Sequence, residues 1–492
     1  MDRGGFVWTR YALDDAGFLE RITSPVRYVS TRGQAATLGF LDAMLAGLAR
    51  DGGLYAPETL PEIPSEAISA LAGLPYAVAA ARIVTPFVAG EIADGDLRAM
   101  AEAAYANFRH AARAPVVEIG DNLFLLELFH GPTLAFKDFA MQLLGRLMSH
   151  ALAARGQRAT ILGATSGDTG AAAIEAFGGG ERTDVFILYP HGRVSEVQRR
   201  QMTTVDKPGV HAIAINGTFD DCQDIVKALF NDLAFRDELA LSGVNSINWA
   251  RILAQIIYYF TAAVALGAPH RQITFAVPTG NFGDVLAGYY AKRMGLPARR
   301  LVVATNENDI LARTLAGGAY RPLGVKATQS PSMDIQVSSN FERLLFEAYG
   351  RDAGAIRGLM GALKQGGEFV VARDALGRIR ADFDACRVSE AECVDEMRRA
   401  YRESGLILDP HTAVGVHAAR SALADDPATP VVALATAHPA KFPDAVEAAT
   451  GVRPKLPAHL ADLLVRRERF SVLPNDARAV AAFVRERARI KV

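Results

Sequence analysis

Residues 129–142 read FHGPTLAFKDFAMQ and place Lys137 between two phenylalanines, in an apolar run that follows a Gly-Pro break. The preceding residues, 122–128, have the composition of a short apolar strand, and residues 138–150 carry apolar side chains at the i, i+3 and i+4 spacing of a helix. Lys137 is therefore predicted near a strand-to-helix junction, where open α/β sheets place their ligand sites. Removal from water would lower the pKa of this lysine and free its amine for Schiff-base chemistry.

An alternative for Lys137 is that its ammonium reaches water and pairs with Asp138, which is the commoner situation for a lysine in an apolar run. Two features weigh against that alternative. The chain has nine lysines against 44 arginines, so lysine is not its default cation. The glycine-rich turns described below also need an anionic partner.

The overall composition narrows the class of protein. The chain has 492 residues, a formal net charge of −1, and half of its residues are hydrophobic, so two or three soluble domains are expected. A charge this close to zero argues against a nucleic acid or a membrane surface as partner. No apolar run reaches the roughly 18 residues of a membrane span, and the start lacks a signal or transit pattern, so a cytoplasmic location is predicted. Cys222, Cys386 and Cys393 have no CxxC spacing and predict neither a zinc site nor a disulfide framework.

Two strand–turn–helix units repeat in the middle of the chain. Residues 159–164 form a predicted strand, 165–170 (TSGDTG) a glycine-rich turn and 171–177 the start of a helix. The second unit has the same order, with a strand at 272–278, a turn at 279–284 (TGNFGD) and a helix at 285–294. Further short strands and helices alternate around these units: 183–189, 210–215, 221–230, 252–266, 301–305 and 431–434. This alternation predicts an α/β fold with two doubly wound lobes and parallel sheets around a cofactor cleft.

The remaining segments give the predicted domain limits. Residues 1–26 are an N-terminal extension without an assigned role, and residues 27–112 a mostly helical module. Residues 113–460 are the two-lobed body, in which 313–380 are expected to be less regular surface segments. Residues 461–492 are expected to be a basic, helical tail with a solvated face.

The turn at 279–284 has the features of an anion site. Glycines allow backbone N–H groups to approach a ligand, and the following helix adds a partial positive charge. The chain contains no GxxxxGK[ST] motif, and no GxGxxG follows a strand, so a nucleotide loop and a dinucleotide fingerprint are both absent. A small phosphate-bearing cofactor therefore fits better, although Asp284 alone could equally serve as a helix cap.

The turn at 165–170 offers three hydroxyls, one carboxylate and free N–H groups at another helix start, which suits a substrate carboxylate or phosphate. A serine nucleophile is the competing interpretation. The spacing around Ser166 is not the GxSxG elbow of hydrolases, which disfavours that interpretation.

A third segment, residues 245–251, begins another predicted helix. Asn248 is a good N-cap for that helix. Arg251 could donate a fork of hydrogen bonds to a substrate phosphate, and a purely structural role is an equal alternative. His130, His411 and His438 are scattered through the chain, so a catalytic metal is not expected.

Taken together, these segments resemble the threonine synthase family, whose members are pyridoxal-phosphate enzymes with a fold similar to the tryptophan synthase β chain. The resemblance runs from about residue 28 to near the C-terminus and fits the longer subfamily, which has its own N-terminal module. It is carried by residues 28–33, 51–55, 134–138, 165–170, 245–251, 279–284, 330–334 and 409–413.

The resemblance implies roles for individual residues. It implies that Lys137 carries pyridoxal 5'-phosphate and, once released, removes the substrate α-proton. It implies that Thr436 faces the pyridine nitrogen and that Asp168 lies near the cofactor ring oxygen and the substrate. The residues that it places around the cofactor phosphate are Gly280, Asn281, Phe282, Gly283 and Asp284.

The implied reaction converts O-phospho-L-homoserine and water to L-threonine and phosphate by γ-elimination and β-addition. Two alternatives stay open: a β-replacement or dehydratase enzyme of the same cofactor family, and a homologue that binds the cofactor without catalysis. A monomer or weak homodimer is expected. The candidate substrate-binding residues are Thr165, Ser166, Asp168, Thr169, Asn248 and Arg251.

Overall fold

The computed structural model describes residues 25–490, so nearly all of the predicted N-terminal extension, 1–26, lies outside the described residues. The first part of the chain is a small module of helices with one two-stranded ribbon, in which β1 and β2 pair antiparallel. Its elements are β1 (Tyr28–Ser30), α1 (Phe40–Ala46), β2 (Tyr55–Pro57), α2 (Ser65–Ser69), α3 (Tyr76–Val88) and α4 (Asp94–Tyr105).

The chain then enters the α/β body, where it first adds an antiparallel pair of strands to the sheet of the second lobe and then builds most of the first lobe. The elements are β3 (Val116–Gly120), β4 (Leu123–Glu127), α5 (Lys137–Ala154), β5 (Ala159–Ala164), α6 (Asp168–Phe177), β6 (Thr183–Pro190), α7 (Glu196–Thr203), β7 (Val210–Ile215), α8 (Phe219–Asn231), α9 (Leu233–Glu238) and β8 (Leu241–Ser242).

The second lobe follows. Its elements are α10 (Trp249–Ala265), β9 (Ile273–Pro278), α11 (Gly283–Arg293), β10 (Ala298–Thr305), α12 (Ile310–Gly317), β11 (Ala319–Tyr320), α13 (Phe341–Ala348), α14 (Ala353–Gly366), β12 (Phe369–Val370), α15 (Arg373–Asp382), β13 (Phe383–Arg387), α16 (Glu390–Ser404), α17 (Pro410–Asp425), β14 (Val431–Ala435) and α18 (Pro443–Thr450). The chain ends with β15 (Ser471–Leu473) and α19 (Ala477–Arg487). Short 3-10 turns lie at Pro331–Met333, Pro439–Lys441, Ala458–Leu460 and Leu463–Val465.

Two main sheets organise the body. The first has the order β15-β7-β6-β5-β8 and is parallel throughout. The second has the order β13-β10-β9-β14-β4-β3 and is parallel except for the antiparallel edge pair β3–β4. The strands β5 and β9, each followed by a glycine-rich turn, belong to different sheets. Because ligands bind at the carboxyl ends of parallel strands, this topology gives each lobe one edge that can contribute to a common site.

The N-terminal module is anchored on α10 through Trp249. The Trp249 ring centroid lies 6.0 Å from that of Tyr28, 6.0 Å from that of Phe87 and 5.1 Å from that of Tyr290. Beside it, Arg343 on α13 is fully buried and donates two hydrogen bonds to the backbone carbonyl oxygen of Tyr55, from Nε at 3.0 Å and from Nη2 at 2.8 Å. An aromatic cluster and a satisfied buried cation therefore join the module to the body.

The structure corrects the expectation for residues 313–380. This segment contains two complete helices, α13 and α14, and most of a third, α15, and α13 is buried along its whole length. The sequence of α13, FERLLFEA, does not indicate a buried helix, because three of its eight residues are charged: Glu342, Arg343 and Glu347. Glu342 accepts hydrogen bonds from Thr31 and Arg32 of the N-terminal module, so its charge is partnered although it is buried.

The expectation of a helical tail with a solvated face is also wrong in part. Residues 471–473 form β15, which extends the first sheet beside β7, and Val480 and Val484 on α19 are fully buried. The two valines are spaced i, i+4, but the arginines around them give the segment the appearance of a surface helix. The domain limits at residues 27–112, 113–460 and 461–492 stay predictions. Within residues 25–490, no helix has the length and apolar composition to cross a membrane.

The packing of α19 leads to a testable prediction. Val484→Ala removes two methyl groups from a fully buried position in the cluster that contains Phe186 and Ile225, and we expect it to lower the free energy of unfolding by about 2 kcal/mol. Val465→Ala is the control, because Val465 is 84% exposed, and it should change stability by less than about 0.5 kcal/mol. Urea denaturation of both variants measures the difference, and equal midpoints would contradict the packing described for α19.

Candidate active site

A cavity of about 240 Å³ lies where the turns of the two lobes meet. The turn after β5 contributes Thr165, Ser166 and Thr169, and the turn after β9 contributes residues 279–284. Lys137 also lines this cavity, together with Thr436 from the segment after β14. The structure thus brings together most of the residues that the sequence singled out.

Lys137 is the first residue of α5, and its side chain is only 11% exposed. Its Nζ lies 3.5 Å from Asp168 Oδ2 and 3.4 Å from Ser332 Oγ. The alternative pairing with Asp138 is absent, because the Asp138 carboxylate accepts the backbone N–H of Thr133 at 2.8 Å and its hydroxyl at 2.7 Å. The Lys137 amine therefore points into the cleft and not to solvent.

Burial lowers the pKa of Lys137 below the ordinary lysine value and is the largest influence on it. The Asp168 carboxylate opposes this effect, while the positive charges of Lys441 and Arg251 add to it. A depressed pKa increases the fraction of neutral amine at a given pH, and only the neutral amine can act as a nucleophile or a base.

The loop before Lys137 is held in a tight conformation by Asp138. Burial raises the pKa of Asp138 to about 6, although its hydrogen bonds from Thr133 oppose the rise. A Cβ at Gly131 would lie 2.4 Å from Asp138 Oδ2, so only glycine fits there. The Gly-Pro break and the aspartate thus cooperate to fix the direction of Lys137.

The turn after β9 forms an anion cradle at the start of α11. Phe282 has a left-handed φ of 63°, and a Cβ at Gly280 would lie 2.9 Å from the carbonyl oxygen of Ser332. Within the described part of the chain, no acceptor engages the backbone N–H groups of residues 280–284. Unsatisfied N–H groups at a helix N-terminus are suited to bind a phosphate.

Asp284 does not cap α11, which excludes the alternative considered from the sequence. Its Oδ1 accepts the hydroxyls of Tyr258 at 2.6 Å and Tyr259 at 2.9 Å, and its buried Oδ2 has no hydrogen-bond partner among the described residues. Burial raises the pKa of Asp284 to about 7, against the opposing effect of the two tyrosines. Asp284 lines the cavity, but its carboxylate accepts hydrogen bonds from the two tyrosines, whereas the N–H groups beside it are free to donate to a phosphate.

In the turn after β5, some of the polar groups hydrogen-bond to each other and are not available to a ligand. Thr165 Oγ1 accepts the N–H groups of Gly167 and Gly170, each at 2.9 Å, so its oxygen already stabilises the turn. Gly167 has a φ of 141° and lies against Gln198, which leaves no space for a side chain. Ser166 and Thr169 remain as cavity-lining hydroxyls at the N-terminus of α6.

Arg251 and Asn248 differ in where the structure places them. Arg251 lines the cavity; its Nη1 donates to the Val244 carbonyl oxygen at 3.1 Å, whereas its buried Nε has no partner among residues 25–490. Burial lowers the pKa of Arg251 to about 10, and Tyr258 opposes the shift. Asn248 does not line the cavity. Its amide group is occupied by the carbonyl oxygens of Met44 and Gly243 and by the N–H of Ala250.

Three further polar residues complete the site and were given no role from the sequence. Ser332 Oγ bridges Lys137 and Asp168, lying 3.2 Å from Asp168 Oδ2. His411 Nε2 accepts the backbone N–H of Ser332 at 3.1 Å, while its Nδ1 lies 2.7 Å from Asp409. Lys441 is fully buried and contacts Asp168 Oδ1 at 2.8 Å. Ser332 and His411 lie in residues 330–334 and 409–413, two of the segments that carry the family resemblance. The sequence therefore marked both segments but did not indicate what these two side chains do.

This geometry fits a cofactor that carries an aldehyde and a phosphate. The Lys137 amine can hold the aldehyde carbon, the free N–H groups of residues 280–284 can hold the phosphate, and Thr436 supplies a neutral hydroxyl. Within residues 25–490, no group of three or more His, Cys, Asp or Glu side chains is arranged to hold a metal ion.

Comparisons with known proteins agree with this fit. The sequence profile for the pyridoxal-phosphate-dependent enzymes matches residues 110–437, and two profiles specific to the N and C termini of threonine synthases match residues 27–105 and 412–484. A threonine synthase of Pseudomonas aeruginosa is 55% identical over 460 residues, covering 93% of this chain and 98% of that protein. The chain belongs to the threonine synthase family. The predicted family and its pyridoxal phosphate cofactor are thereby confirmed.

Solved structures of threonine synthases confirm the fold. The pyridoxal-phosphate-bound enzyme of Brucella melitensis superposes with a TM-score of 0.91 at 59% identity, covering 94% of this chain and 100% of that one. The yeast threonine synthase superposes with a TM-score of 0.87 at 40% identity, covering 94% and 98% of the two chains. The predicted α/β fold, with two lobes and an N-terminal module, is therefore confirmed for this threonine synthase family member.

Asp284 makes the stability of the cofactor-free protein depend on pH. The ordinary pKa of an aspartate is 3.8, and in the folded protein that of Asp284 is about 7, so between these values the folded state holds a proton that the unfolded state has lost. The free energy of unfolding should therefore fall as the pH rises through this range. Asp284→Asn abolishes this loss, and its stability relative to the unsubstituted protein should improve by about 2 kcal/mol between pH 5 and pH 8.

Urea denaturation of the two cofactor-free proteins at both pH values tests this prediction. Asp395→Asn serves as a control, because the Asp395 side chain is 75% exposed and should show no such pH-dependent gain. A difference between Asp284→Asn and the parent that stays constant with pH would contradict the assignment.

Proposed function

We propose that this enzyme converts O-phospho-L-homoserine and water to L-threonine and inorganic phosphate. The observation that supports this substrate best is the pair of anion-binding helix N-termini, α6 and α11, that line one cavity with a buried lysine amine. One terminus suits the cofactor phosphate, and the other is then available for a second anion. A substrate that carries its own phosphate would use both.

In this proposal, Lys137 holds the cofactor, and the N–H groups of residues 280–284 hold its phosphate. Bound pyridoxal phosphate supplies an electron sink for the negative charge that develops at the substrate α-carbon. Thr436 lines the cavity where the pyridine nitrogen is expected, and its neutral hydroxyl would hold that nitrogen more weakly than a carboxylate. The chain thereby moderates the strength of the sink.

Lys137 also moves the proton. With substrate bound, the free Lys137 amine would accept the α-proton, and the burial that lowers its pKa increases the fraction of neutral amine able to do so. Asp168 stays ionised beside it: burial alone would raise the pKa of Asp168, but Lys441 and Lys137 hold it well below its usual range. Asp168 can therefore stabilise the Lys137 ammonium that forms, with Ser332 bridging the two groups.

The substrate phosphate is proposed to bind at the start of α6. Ser166 and Thr169 offer hydroxyls there, and the unpartnered Nε of Arg251 offers a charged donor. Asn248, whose amide is already satisfied, acts on the substrate only through the position of α10, which it caps. Closure of the two lobes over this site would exclude bulk water while negative charge is present at the α-carbon.

The first experiment replaces Lys137. Lys137→Ala should abolish both the visible absorbance of the lysine-bound cofactor and the release of phosphate from O-phospho-L-homoserine, because it removes the amine that this proposal assigns to the cofactor. Lys455→Ala is the matched control at an exposed lysine and should retain both. Retention of absorbance and turnover by Lys137→Ala would refute the assignment. Ammonia release from serine or threonine, without phosphate release from phosphohomoserine, would instead favour a dehydratase.

The second experiment tests Arg251. Arg251→Gln removes a charged hydrogen bond, worth about 1.5–3 kcal/mol, and should lower kcat/KM for O-phospho-L-homoserine by roughly 10- to 100-fold. It should also weaken product inhibition by inorganic phosphate to a similar degree. Arg251→Lys keeps the charge and should lose less. A lower melting temperature with unchanged kinetics and unchanged phosphate inhibition would show that Arg251 is structural.

A further inference from the structure

Lys441 is a fully buried lysine that lies on the 3-10 turn after β14. Its Nζ donates to the carbonyl oxygen of Thr133 at 2.7 Å and lies 2.8 Å from Asp168 Oδ1. Its own carbonyl oxygen accepts the hydroxyl of Ser195, the residue that caps the N-terminus of α7. Lys441 thus contacts the loop before Lys137 and two helices of the first lobe, although its own turn follows a strand of the second sheet.

A lysine without solvent contact is costly unless its charge is compensated. One carboxylate, Asp168, compensates two ammonium groups here, those of Lys441 and Lys137. The contacts are unequal, because the distance to Lys441 is 2.8 Å and that to Lys137 is 3.5 Å. Gln198 also donates to Asp168 Oδ1 at 2.8 Å, so this oxygen is fully engaged away from Lys137.

We propose that Lys441 is a positioning residue for Lys137, on which it acts through Asp168. This inference rests on the proposed role of Lys137 as the cofactor-carrying amine. Lys441 holds Asp168 Oδ1, so that Oδ2 faces Ser332 and Lys137. Lys441 also interacts more strongly than Lys137 with the negative charge of the carboxylate, because it lies closer. In the described part of the chain, Asp168 is the one carboxylate that pairs with Lys137; this contact is long and weak, so the Lys137 amine loses its proton more readily.

The charged groups around Lys137 act together to give this effect. Asp168 on α6 favours the ammonium form, whereas Lys441 and Arg251 on α10 oppose it. His411 lies behind Ser332, with one ring nitrogen occupied by the Ser332 N–H and the other facing Asp409. Removing the charge of Lys441 would remove a repelling cation and return the whole carboxylate to Lys137. Both changes stabilise the ammonium form.

Attachment of the cofactor reports on this balance directly. The neutral amine of Lys137 attacks the aldehyde carbon of pyridoxal phosphate, a C=N bond forms, and the aldehyde oxygen leaves as water. The ammonium form must first release its proton to solvent. The pH midpoint of attachment to the cofactor-free full chain, followed by visible absorbance, therefore measures the protonation of Lys137 independently of turnover.

Lys441→Gln is the main variant, because glutamine keeps donors for Thr133 and Asp168 but carries no charge. We expect it to raise the pH midpoint of attachment by about one unit. Lys455→Gln makes the same change at an exposed lysine and should leave the midpoint unchanged. Asp168→Asn should move the midpoint downward, since it removes the anion that stabilises the ammonium. Lys441→Met is the second variant if Lys441→Gln is not recovered folded, and it should also raise the midpoint.

The outcomes separate this inference from the function on which it rests. If the unsubstituted protein attaches the cofactor through Lys137, while Lys441→Gln and Lys441→Met change only the melting temperature, Lys441 is structural and the inference is overturned. If Lys137→Ala still attaches the cofactor at the same position, the proposed role of Lys137 itself fails. An upward shift that is abolished when Asp168→Asn is combined with Lys441→Gln would show that the effect passes through Asp168.

Discussion

The removal of one amine from water is the constraint on which the site depends. The Lys137 side chain is only 11% exposed; within residues 25–490 it pairs with one carboxylate, that of Asp168, and two other cations lie nearby. Desolvation makes the neutral amine accessible, and the shared carboxylate keeps the ammonium form from being lost altogether. The Gly-Pro break, the Asp138 bridge to Thr133 and the start of α5 all serve to aim this one side chain.

The two sheets contribute to the site in equivalent ways. In each, a buried parallel strand is followed by a glycine-rich turn that lines the cleft and then by a helix. Neither turn needs a cationic side chain of its own, because the backbone supplies the donors and the helix supplies the field. The side chains can then take other roles, as Asp168 does beside Lys137 and as Thr165 does within its own turn.

Much of this arrangement was predictable from the sequence, where local pattern and tertiary role agree. The strands at 159–164 and 210–215 have the predicted limits, and both glycine turns lie on the cleft. The failures occur where a charged residue is buried against a distant partner. Arg343 lies on the buried helix α13, which the sequence analysis placed among surface segments, and Lys441 received no role, because their partners lie far away in sequence. Asn248 differs from these residues, because its Oδ1 caps α10 and its Nδ2 donates to the carbonyl oxygens of Met44 and Gly243.

The position of Trp249 has a consequence for the fluorescence of the protein. The chain contains two tryptophans, and this indole lies where the N-terminal module, α10 and the buried Arg343 converge. Its emission is therefore a built-in reporter of whether the module is docked. Since α10 also carries Arg251 into the cleft, a shift of that emission would register events at the cofactor without any added dye.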